Sequence, residues 1–247
     1  MRILLLGGTT EASNLAAALA ARGMDAVFSY AGRTAQPVAQ PLPTRVGGFG
    51  GVAGLSAYIR AQGITHIIDA THPFAAQISR NALEASHNCG IPLLVLERQP
   101  WGAIQGDDWQ HVPDIGGAVA ALPDAPARVF LAIGKQNLAP FAAKPQHFYL
   151  LRLVDRPSAL LLANATAIIA RGPFDVAGDS ALLQANAITH IVAKNAGGSG
   201  AEAKLVAARA LGVTVILIDR PVLPPRHVVG SVTEVLAWLG HSAERGV

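Results

Sequence analysis

The stretch Ile3-Leu4-Leu5-Leu6-Gly7-Gly8-Thr9-Thr10-Glu11-Ala12 decides the fold, because it leads from a buried strand through a glycine pair into a helix. Four consecutive aliphatic residues indicate a strand that is covered on both faces, as in a parallel sheet. Gly7 and Gly8 let a phosphate approach the backbone, and the first amides of the helix supply donors and a positive dipole end. Thr9 and Thr10 add hydroxyl groups, and either could cap the helix. The stretch is not G-x-G-x-x-G, so a tight turn with a capped helix is the alternative.

Short runs of Val, Ile and Leu alternate with Ala-rich segments of helical period along the chain, which predicts an α/β fold of parallel strands joined by helices. The predicted strands of the first half are residues 2–6, 26–30, 44–46, 66–70 and 93–96, and its predicted helices are 10–22, 54–62 and 75–88. The predicted strands of the second half are residues 110–112, 128–132, 147–151, 167–170, 190–193 and 214–217, with helices at 115–122, 180–186, 201–211 and 231–239.

Residues 97–108 between the two halves are rich in Pro, Gly, Gln and Trp and have no period. We interpret them as the connection between two Rossmann-like, doubly wound lobes with mainly parallel sheets and a cleft between them. The predicted lobes are residues 1–98 and 99–247. A single continuous sheet is the alternative, and in both cases the ligand is expected at the carboxyl ends of the strands.

The composition excludes several classes of protein. Apolar residues make up 51% of the chain and charged residues 14%, which is the opposite of a disordered composition. The single cysteine, Cys89, excludes an internal disulfide and a cysteine-rich zinc site. The apolar stretch 159–170 is shorter than the roughly 18–20 residues of a bilayer helix, and the apolar run 3–6 is too short for a signal peptide. We therefore expect a soluble, cytoplasmic protein that does not bind membranes.

The charge pattern favours a small anionic ligand. The chain has 19 Lys and Arg against 16 Asp and Glu, a net charge of +3, and no basic run interleaved with aromatic residues, so nucleic-acid binding is not expected. Basic residues instead recur singly at predicted strand ends, which suits a cleft for a multiply anionic molecule. They are Arg33, Arg152, Arg171, Lys194 and Arg220.

The residues after the second predicted strand predict a preference for NADPH. NAD-binding folds place an acidic residue there for the ribose hydroxyls, whereas NADP-binding folds offer cations and hydroxyls to the 2′-phosphate. This chain has no acidic residue in 28–34 and supplies Ser29, Arg33 and Thr34. Arg can bind a phosphate through two parallel hydrogen bonds. The alternative is that Arg33 is an ordinary solvated loop residue.

The fourth predicted strand ends in Asp69-Ala70-Thr71-His72-Pro73. Pro73 keeps His72 out of the helical region, which holds it at the carboxyl end of the strand beside the expected nicotinamide position. The alternative roles for His72 are helix capping and packing. We interpret Asp69 as structural, because an acid so near the cofactor phosphates would oppose them.

The second half contains another glycine-rich turn between a strand and a helix, residues 194–204, in which Lys194, Ser199 and Lys204 form a plausible anion cradle. Arg152 and Arg171 end neighbouring predicted strands and could face the same opening. Each of these cations could also be a solvated surface residue. Gly134-Lys135 follows a strand and begins a predicted helix, but it lacks the other residues of a Walker A loop, so phosphoryl transfer from ATP is disfavoured.

Other chemistries lack their residues. No Tyr-x-x-x-Lys is present, which removes the catalytic pair of short-chain dehydrogenases and weakens a sugar-nucleotide enzyme as an alternative. No H-E-x-x-H occurs and the eight histidines are dispersed, so no metal site is predicted.

Six motif blocks together resemble the precorrin-6A reductase family, and they follow one another in family order over nearly the whole chain. They are residues 7–12, 31–34, 45–51, 69–75, 171–174 and 194–198. The resemblance implies an NADPH-dependent oxidoreductase of cobalamin biosynthesis that binds a tetrapyrrole in the cleft of a two-lobed, Rossmann-like fold. It implies that a hydride is delivered to one carbon of a double bond of precorrin-6A and a proton to its neighbour, giving precorrin-6B.

With this resemblance, we expect the first lobe to bind NADPH and the second to bind the substrate. The expected cofactor residues are Gly7, Gly8, Thr9, Thr10, Glu11, Ser29, Arg33, Thr71 and His72. The residues expected to meet the substrate carboxylates, or alternatively to help hold the cofactor phosphates, are Lys135, Arg152, Arg171, Lys194, Ser199 and Lys204. His72 is the candidate catalytic residue, although water can serve as the proton donor. A non-catalytic NADP(H)-binding protein and a cobalt-bearing substrate are the alternatives, and the oligomeric state is left open.

Overall fold

The structure, a computed structural model, describes residues 1–32, 38–156, 159–160 and 162–244. The chain divides into two compact units, of which the first consists of Met1–Gln99 and Val222–Val247 and the second of Pro100–Pro221. Each unit contains one sheet of six parallel strands with helices on its faces. Among the described residues, none of the helices combines the length and the apolar character that crossing a bilayer requires.

The first unit is a doubly wound sheet with the strand order β12-β5-β4-β1-β2-β3. Its strands are β1 (Ile3–Leu6), β2 (Ala26–Tyr30), β3 (Thr44–Val46), β4 (His66–Asp69), β5 (Leu93–Leu96) and β12 (Val228–Val229). Its helices are α1 (Thr10–Ala21), α2 (Gly51–Ala61), α3 (Ala76–Cys89) and α7 (Val232–Glu244).

The second unit has the strand order β6-β11-β10-β7-β8-β9. Its strands are β6 (Trp109–Val112), β7 (Arg128–Ala132), β8 (Phe148–Leu153), β9 (Ala165–Ile169), β10 (His190–Lys194) and β11 (Thr214–Ile218). Its helices are α4 (Ile115–Ala121), α5 (Val176–Ala185) and α6 (Ala203–Leu211), with 3-10 turns at Lys135–Asn137, Ala139–Ala143 and Ser199–Ala201.

The aliphatic run of β1 forms the centre of the first core. Because side chains alternate between the faces of a strand, Ile3 and Leu5 pack with residues of α1 and α7, while Leu4 and Leu6 pack with residues of α2 and α3. All four β1 side chains are buried, so this strand is covered on both faces as its sequence predicts.

Each sheet has one topological switch point, where the strand order reverses. In the first unit the chain runs from β1 outward to β3 and then returns through α2 to β4 on the other side of β1. In the second unit it runs from β7 outward to β9 and then returns through α5 to β10. Ligands of such sheets bind beyond the carboxyl ends of the strands at these points, between β1 and β4 and between β7 and β10.

The predicted fold class of two doubly wound, parallel lobes is confirmed, and the single-sheet alternative is wrong. The predicted second lobe, residues 99–247, differs from the structure because the chain returns to the first unit at Val222. There the amide of Val95 donates to His227 O at 2.9 Å, and the amide of Glu97 donates to Val229 O at 3.0 Å. A strand of two residues has no period to detect, so the sequence alone did not indicate β12. The predicted cleft between the lobes stays a prediction.

Several predicted boundaries also differ from the structure. Helix α5 begins at Val176 rather than at residue 180, since Asp175 caps it by accepting a hydrogen bond from the amide of Gly178 at 2.8 Å. Its first turn is mostly exposed and therefore carries no apolar period. Lys135 begins a short 3-10 turn rather than the predicted α-helix.

Candidate functional site

The turn after β1 has the features of a phosphate-binding loop. The amide of Gly7 donates to Ser29 O at 3.0 Å, and a Cβ at Gly7 would lie 2.0 Å from Cζ of Phe28, so only glycine fits at this position. Gly8 has φ +126°, and a Cβ there would meet no atom within 4 Å, so the space above it is open. Within the described residues, the amides of Gly8, Thr10 and Glu11 donate no hydrogen bond. The turn therefore leaves an open cradle of donors at the start of α1.

Thr9 connects the two strands that flank the first switch point. Its Oγ1 accepts from the amide of Ala12 at 3.1 Å as the cap of α1, and it donates to Ala70 O at 2.8 Å, directly after β4. Because a hydroxyl has one proton, the donor of Thr9 is already used within the protein. Thr10 is exposed as the first residue of α1, so its hydroxyl is the one that can reach a ligand.

Seven residues line a shallow crevice at the carboxyl ends of β1, β4 and β5, namely Thr9, Glu11, Thr71, Pro73, Leu96, Glu97 and Arg98. Two ion pairs belong to it. Arg98 Nη1 lies 2.6 Å from Glu11 Oε2, and Arg226 Nη2 lies 3.2 Å from Glu97 Oε2. The structure thus brings the predicted residues Thr9, Glu11 and Thr71 together at the first switch point.

The end of β4 is held by hydrogen bonds within its own turn. Oδ1 of the buried Asp69 accepts from Thr71 N at 3.1 Å and from Thr71 Oγ1 at 2.7 Å, which agrees with a structural role for this acid. Nδ1 of His72 accepts from the amide of Phe74 at 3.2 Å, and His72 O accepts from the amide of Ala75 at 2.7 Å. An Nδ1 that accepts this bond assigns the ring proton of neutral His72 to Nε2, where it can serve as a donor.

The carboxyl edge of β2 and β3 contains an arginine that the sequence interpretation missed. Arg45 Nη1 donates to the buried Ser29 Oγ at 2.9 Å and to Gly47 O at 2.9 Å, and its guanidinium lies 3.8 Å from the ring centroid of Phe49. These contacts hold a positive charge beside the predicted Ser29. A signal was available, because the chain has no Asp or Glu between Asp25 and Asp69. The predicted Arg33 and Thr34 lie outside the described residues.

The glycine-rich turn after β10 is fixed by Trp101. The amide of Trp101 donates to Asn195 Oδ1 at 2.8 Å, Asn195 Nδ2 donates to Trp101 O at 3.1 Å, and the indole Nε1 donates to Gly198 O at 2.9 Å. Arg220 adds hydrogen bonds to Asn195 O at 3.0 Å and Ala196 O at 3.1 Å. The sequence interpretation placed Trp101 in an aperiodic connection, and a tryptophan within a Pro- and Gly-rich segment was the signal that could have found it.

Lys204 lies inside the second unit. It is 5% exposed, its Nζ donates to Ala201 O, and Nζ lies 4.9 Å from the ring centroid of Trp101. Burial, followed by the positive charge of Arg152, lowers the pKa of Lys204 to about 8, against the opposing effects of Asp179 and Glu202. This lysine therefore supports the end of the glycine-rich turn.

Arg152 also points inward. It forms an ion pair with Asp179 of α5 in which the two side chains are 8% and 5% exposed, and its guanidinium lies 4.0 Å from the ring centroid of Phe174. A guanidinium already bound to a carboxylate of its own protein is not a free substrate ligand, so the structure gives no support to the predicted direct role of Arg152.

The other predicted residues of the second unit follow its strand ends. Lys194 is the last residue of β10 and is half-buried, whereas Lys135 after β7 and Ser199 after β10 are exposed. These three flank the second switch point by topology, and the exposed Arg171 follows the edge strand β9. In the described part of the chain, no group of three or more His, Cys, Asp or Glu side chains could hold a metal ion.

Comparisons with known proteins agree on one family. The family described as "Precorrin-6x reductase CbiJ/CobK" matches residues 2–240. A "Precorrin-6A reductase" of Rhodobacter capsulatus is 64% identical over 249 residues, covering 100% of this chain and 99% of that protein. Another, of Rhodococcus erythropolis, is 46% identical over 246 residues and covers 99% of both chains. A solved structure described as "CobK precorrin-6A reductase" superposes with a TM-score of 0.95 at 63% identity, covering 98% of this chain and 96% of that one.

Proposed function

This chain belongs to the precorrin-6x reductase family, and we propose that it reduces precorrin-6A with NADPH as the hydride donor. The resemblance noted in the sequence is confirmed, and the chain is an oxidoreductase of cobalamin biosynthesis that acts on a carbon–carbon double bond. A non-catalytic NADP(H)-binding protein is not favoured, because the match to reductases extends over the full chain. Both relatives are named for precorrin-6A without cobalt, which favours the metal-free substrate.

The cradle after β1 fits the diphosphate of a nicotinamide dinucleotide. Gly8 leaves open space above the backbone, and the amides at the start of α1 supply donors next to a positive dipole end. The exposed Thr10 adds a hydroxyl group. When bound, the dinucleotide supplies the hydride, and the task of the protein is to bind and orient it.

The acid-free edge beside β2 is the observation that carries the preference for NADPH over NADH. No Asp or Glu lies between Asp25 and Asp69, so no carboxylate of that segment opposes a 2′-phosphate. Arg45 is held beside Ser29 at this edge, and the sequence adds Arg33. We propose that these two guanidinium groups bind the 2′-phosphate and that Ser29 orients Arg45.

The second unit is proposed to bind the substrate carboxylates. Three cations and a serine are exposed or half-buried beyond or at the ends of its strands, where they can meet the acetate and propionate arms of a precorrin. They are Lys135, Arg171, Lys194 and Ser199. Lys204 and Arg152 are proposed to act indirectly. Lys204 holds the turn after β10, and Arg152 holds α5 to the sheet through its ion pair with Asp179. Thr71 and the Nε2 donor of His72 are proposed to border the nicotinamide, with water as the proton source. The predicted cytoplasmic location stays a prediction.

The test compares the dissociation constants of NADPH and NADH for the wild type, Arg33→Ala and Arg45→Ala, measured by fluorescence titration. A charge-assisted hydrogen bond contributes about 1.5–3 kcal/mol, so each substitution is expected to weaken NADPH about 10- to 100-fold. The binding of NADH is expected to change less than about threefold, because it lacks the 2′-phosphate. When precorrin-6A is added to the wild type with NADPH, the NADPH should be oxidised, which is measured as a decrease in its absorbance.

The control for lost charge is Arg22→Ala at the far end of α1, where the guanidinium of Arg22 donates to Ala18 O of the helix that it caps. Its dissociation constants should equal those of the wild type. Arg45→Lys keeps the positive charge but removes Nη1, which donates to Ser29 and Gly47, so it separates the effect of the charge from that of these hydrogen bonds. Equal losses for NADPH and NADH in Arg33→Ala and Arg45→Ala would refute the 2′-phosphate role.

A further inference from the structure

Glu11 is among the expected cofactor residues, but its carboxylate is paired with Arg98 and has no part in the roles proposed above. Glu11 lies in the first turn of α1, and Arg98, 87 positions later in the sequence, follows β5. Their charged atoms are 2.6 Å apart, and the side chains are 27% and 19% exposed. The pair is therefore short and largely shielded from water, and it lines the crevice at the first switch point.

The position of Glu11 creates an electrostatic conflict with the proposed cofactor. A carboxylate in the first turn of a helix is attracted to the positive end of the helix dipole. The diphosphate of a dinucleotide is attracted to the same end for the same reason. Two anions at one helix terminus repel each other, and the repulsion is strong where the site is partly shielded from water.

We infer that Arg98 is a positioning residue that neutralises Glu11, so that the start of α1 can accept the diphosphate of the cofactor. The inference rests on the proposed function, because it presupposes that a dinucleotide binds at this turn.

The neighbouring pair supports this interpretation of the crevice. Glu97, the residue before Arg98, is paired with Arg226 at 3.2 Å, and both of these side chains are 15% exposed. Carboxylates from two different elements at this crevice are thus each matched by a guanidinium group. The arrangement keeps the net charge of the crevice from becoming negative where a polyanion is proposed to bind.

The test is a double-mutant cycle on the dissociation constant of NADPH, with wild type, Arg98→Ala, Glu11→Gln and the double variant. Arg98→Ala is expected to weaken NADPH about tenfold, the order of one like-charge interaction in a half-shielded site. The double variant should bind within about threefold of Glu11→Gln, because the neutral amide no longer repels the diphosphate. Arg98→Lys should also bind within about threefold of the wild type.

Two controls separate this effect from others. Arg2→Ala removes a positive charge from the Arg2–Asp25 pair. Arg2 precedes β1 and Asp25 precedes β2, so this pair lies at the amino ends of the strands. The dissociation constant of NADPH should be unchanged in this variant. Adenosine 2′-monophosphate, which has no diphosphate, should bind Arg98→Ala and the wild type equally when it displaces a fluorescent dinucleotide. Thermal unfolding of every variant reports whether the fold is intact.

Each outcome decides the inference. If Arg98→Ala binds NADPH like the wild type, Arg98 does not act through Glu11. If the substitution weakens NADPH equally in the wild-type and Glu11→Gln backgrounds, Arg98 does not act through Glu11 either, and it contacts the ligand itself or supports the fold. A wild type that binds no NADPH overturns the proposed function as well, whereas tight wild-type binding with an unchanged Arg98→Ala overturns only this inference.

Discussion

Asp179→Ala is expected to destabilise the second unit by about 3 kcal/mol. Asp179 is 4% exposed and neutralises Arg152, whose side chain is 8% exposed, and its charge also favours the protonated form of the buried Lys204. The substitution leaves two buried cations without this carboxylate. The small energies measured for surface ion pairs therefore do not apply to this pair.

The magnitude follows from the buried environment. Removing one partner of a buried ion pair costs about 3–5 kcal/mol, because the other charge remains desolvated. We expect the lower end of this range, since Lys204 can lose its proton and so relieve one of the two charges. Its pKa of about 8 already lies below the ordinary 10.5, and losing Asp179 lowers that pKa further.

The sign of the pH dependence follows from the lowered pKa of Lys204. The unfolded chain binds the proton of this lysine more tightly than the native state, so stability rises as the pH increases from about 8 towards 10.5. In Asp179→Ala the rise begins at a lower pH. The loss of stability is therefore expected to be larger at a pH near 6 than at a pH near 9, and a Lys204→Met background should remove the difference.

The assay is urea unfolding followed by tryptophan fluorescence. The chain has three tryptophans, and Trp109→Phe with Trp238→Phe leaves Trp101 as a reporter of the second unit. With an m-value of about 2 kcal/mol per molar urea, the midpoint should fall by about 1.5 M. An Arg152→Met/Asp179→Leu variant should recover most of the loss, because an apolar pair replaces the ion pair and also removes the Arg152 charge that disfavours protonated Lys204. A loss below about 1 kcal/mol, the range of surface pairs, or equal losses at both pH values, would refute the reasoning.

Two further predictions concern the first unit. Gly7→Ala should destabilise it by about 1–3 kcal/mol, because the new Cβ would lie 2.0 Å from the Phe28 ring, and Phe28→Leu should recover part of the loss in urea unfolding. Thr9→Ala should lower the free energy of unfolding by about 1–2 kcal/mol, because it removes the helix cap and the hydrogen bond to Ala70. Thr9→Ser keeps the hydroxyl and should lower it by less than about 1 kcal/mol in the same assay. Equal losses for Ala and Ser at position 9 would contradict the role of the hydroxyl.

The sequence predicts the layers of this fold because each strand carries its own signal. Continuous aliphatic runs such as Ile3–Leu6 report burial on both faces without reference to any partner. The glycine turn after β1 is also visible in the sequence, because Gly7 and Gly8 directly follow the aliphatic run, whereas the close approach of Gly7 to Phe28 of β2 is seen only in the fold. The return of the chain to the first sheet is different, because Val228–Val229 is defined by its pairing with β5 and has no pattern of its own.

The candidate site was predicted less completely because its electrostatics depend on distant residues. Arg98 meets Glu11 across 87 residues, and Trp101 meets Asn195 across 94. No periodicity or spacing connects such positions. Only the fold shows that Arg98, two residues beyond the end of β5, and Glu11, in the first turn of α1, belong to one crevice.

The ends of the strands decide which predicted cations can meet a ligand. The aliphatic run predicted an end at residue 151 for β8, which placed Arg152 at the carboxyl end of the strand, but the strand continues to Leu153. Arg152 therefore belongs to the sheet layer, where α5 covers it and Asp179 must neutralise it. Arg171 lies two residues beyond the end of β9 and is exposed. A shift of two residues in a strand end thus separates a structural arginine from one that can bind the substrate. The side chain of a strand residue points to a covered face of the sheet, whereas that of a loop residue does not. The carboxylate-binding role proposed for the second unit consequently rests on the residues beyond its strand ends, with Lys194 at the boundary.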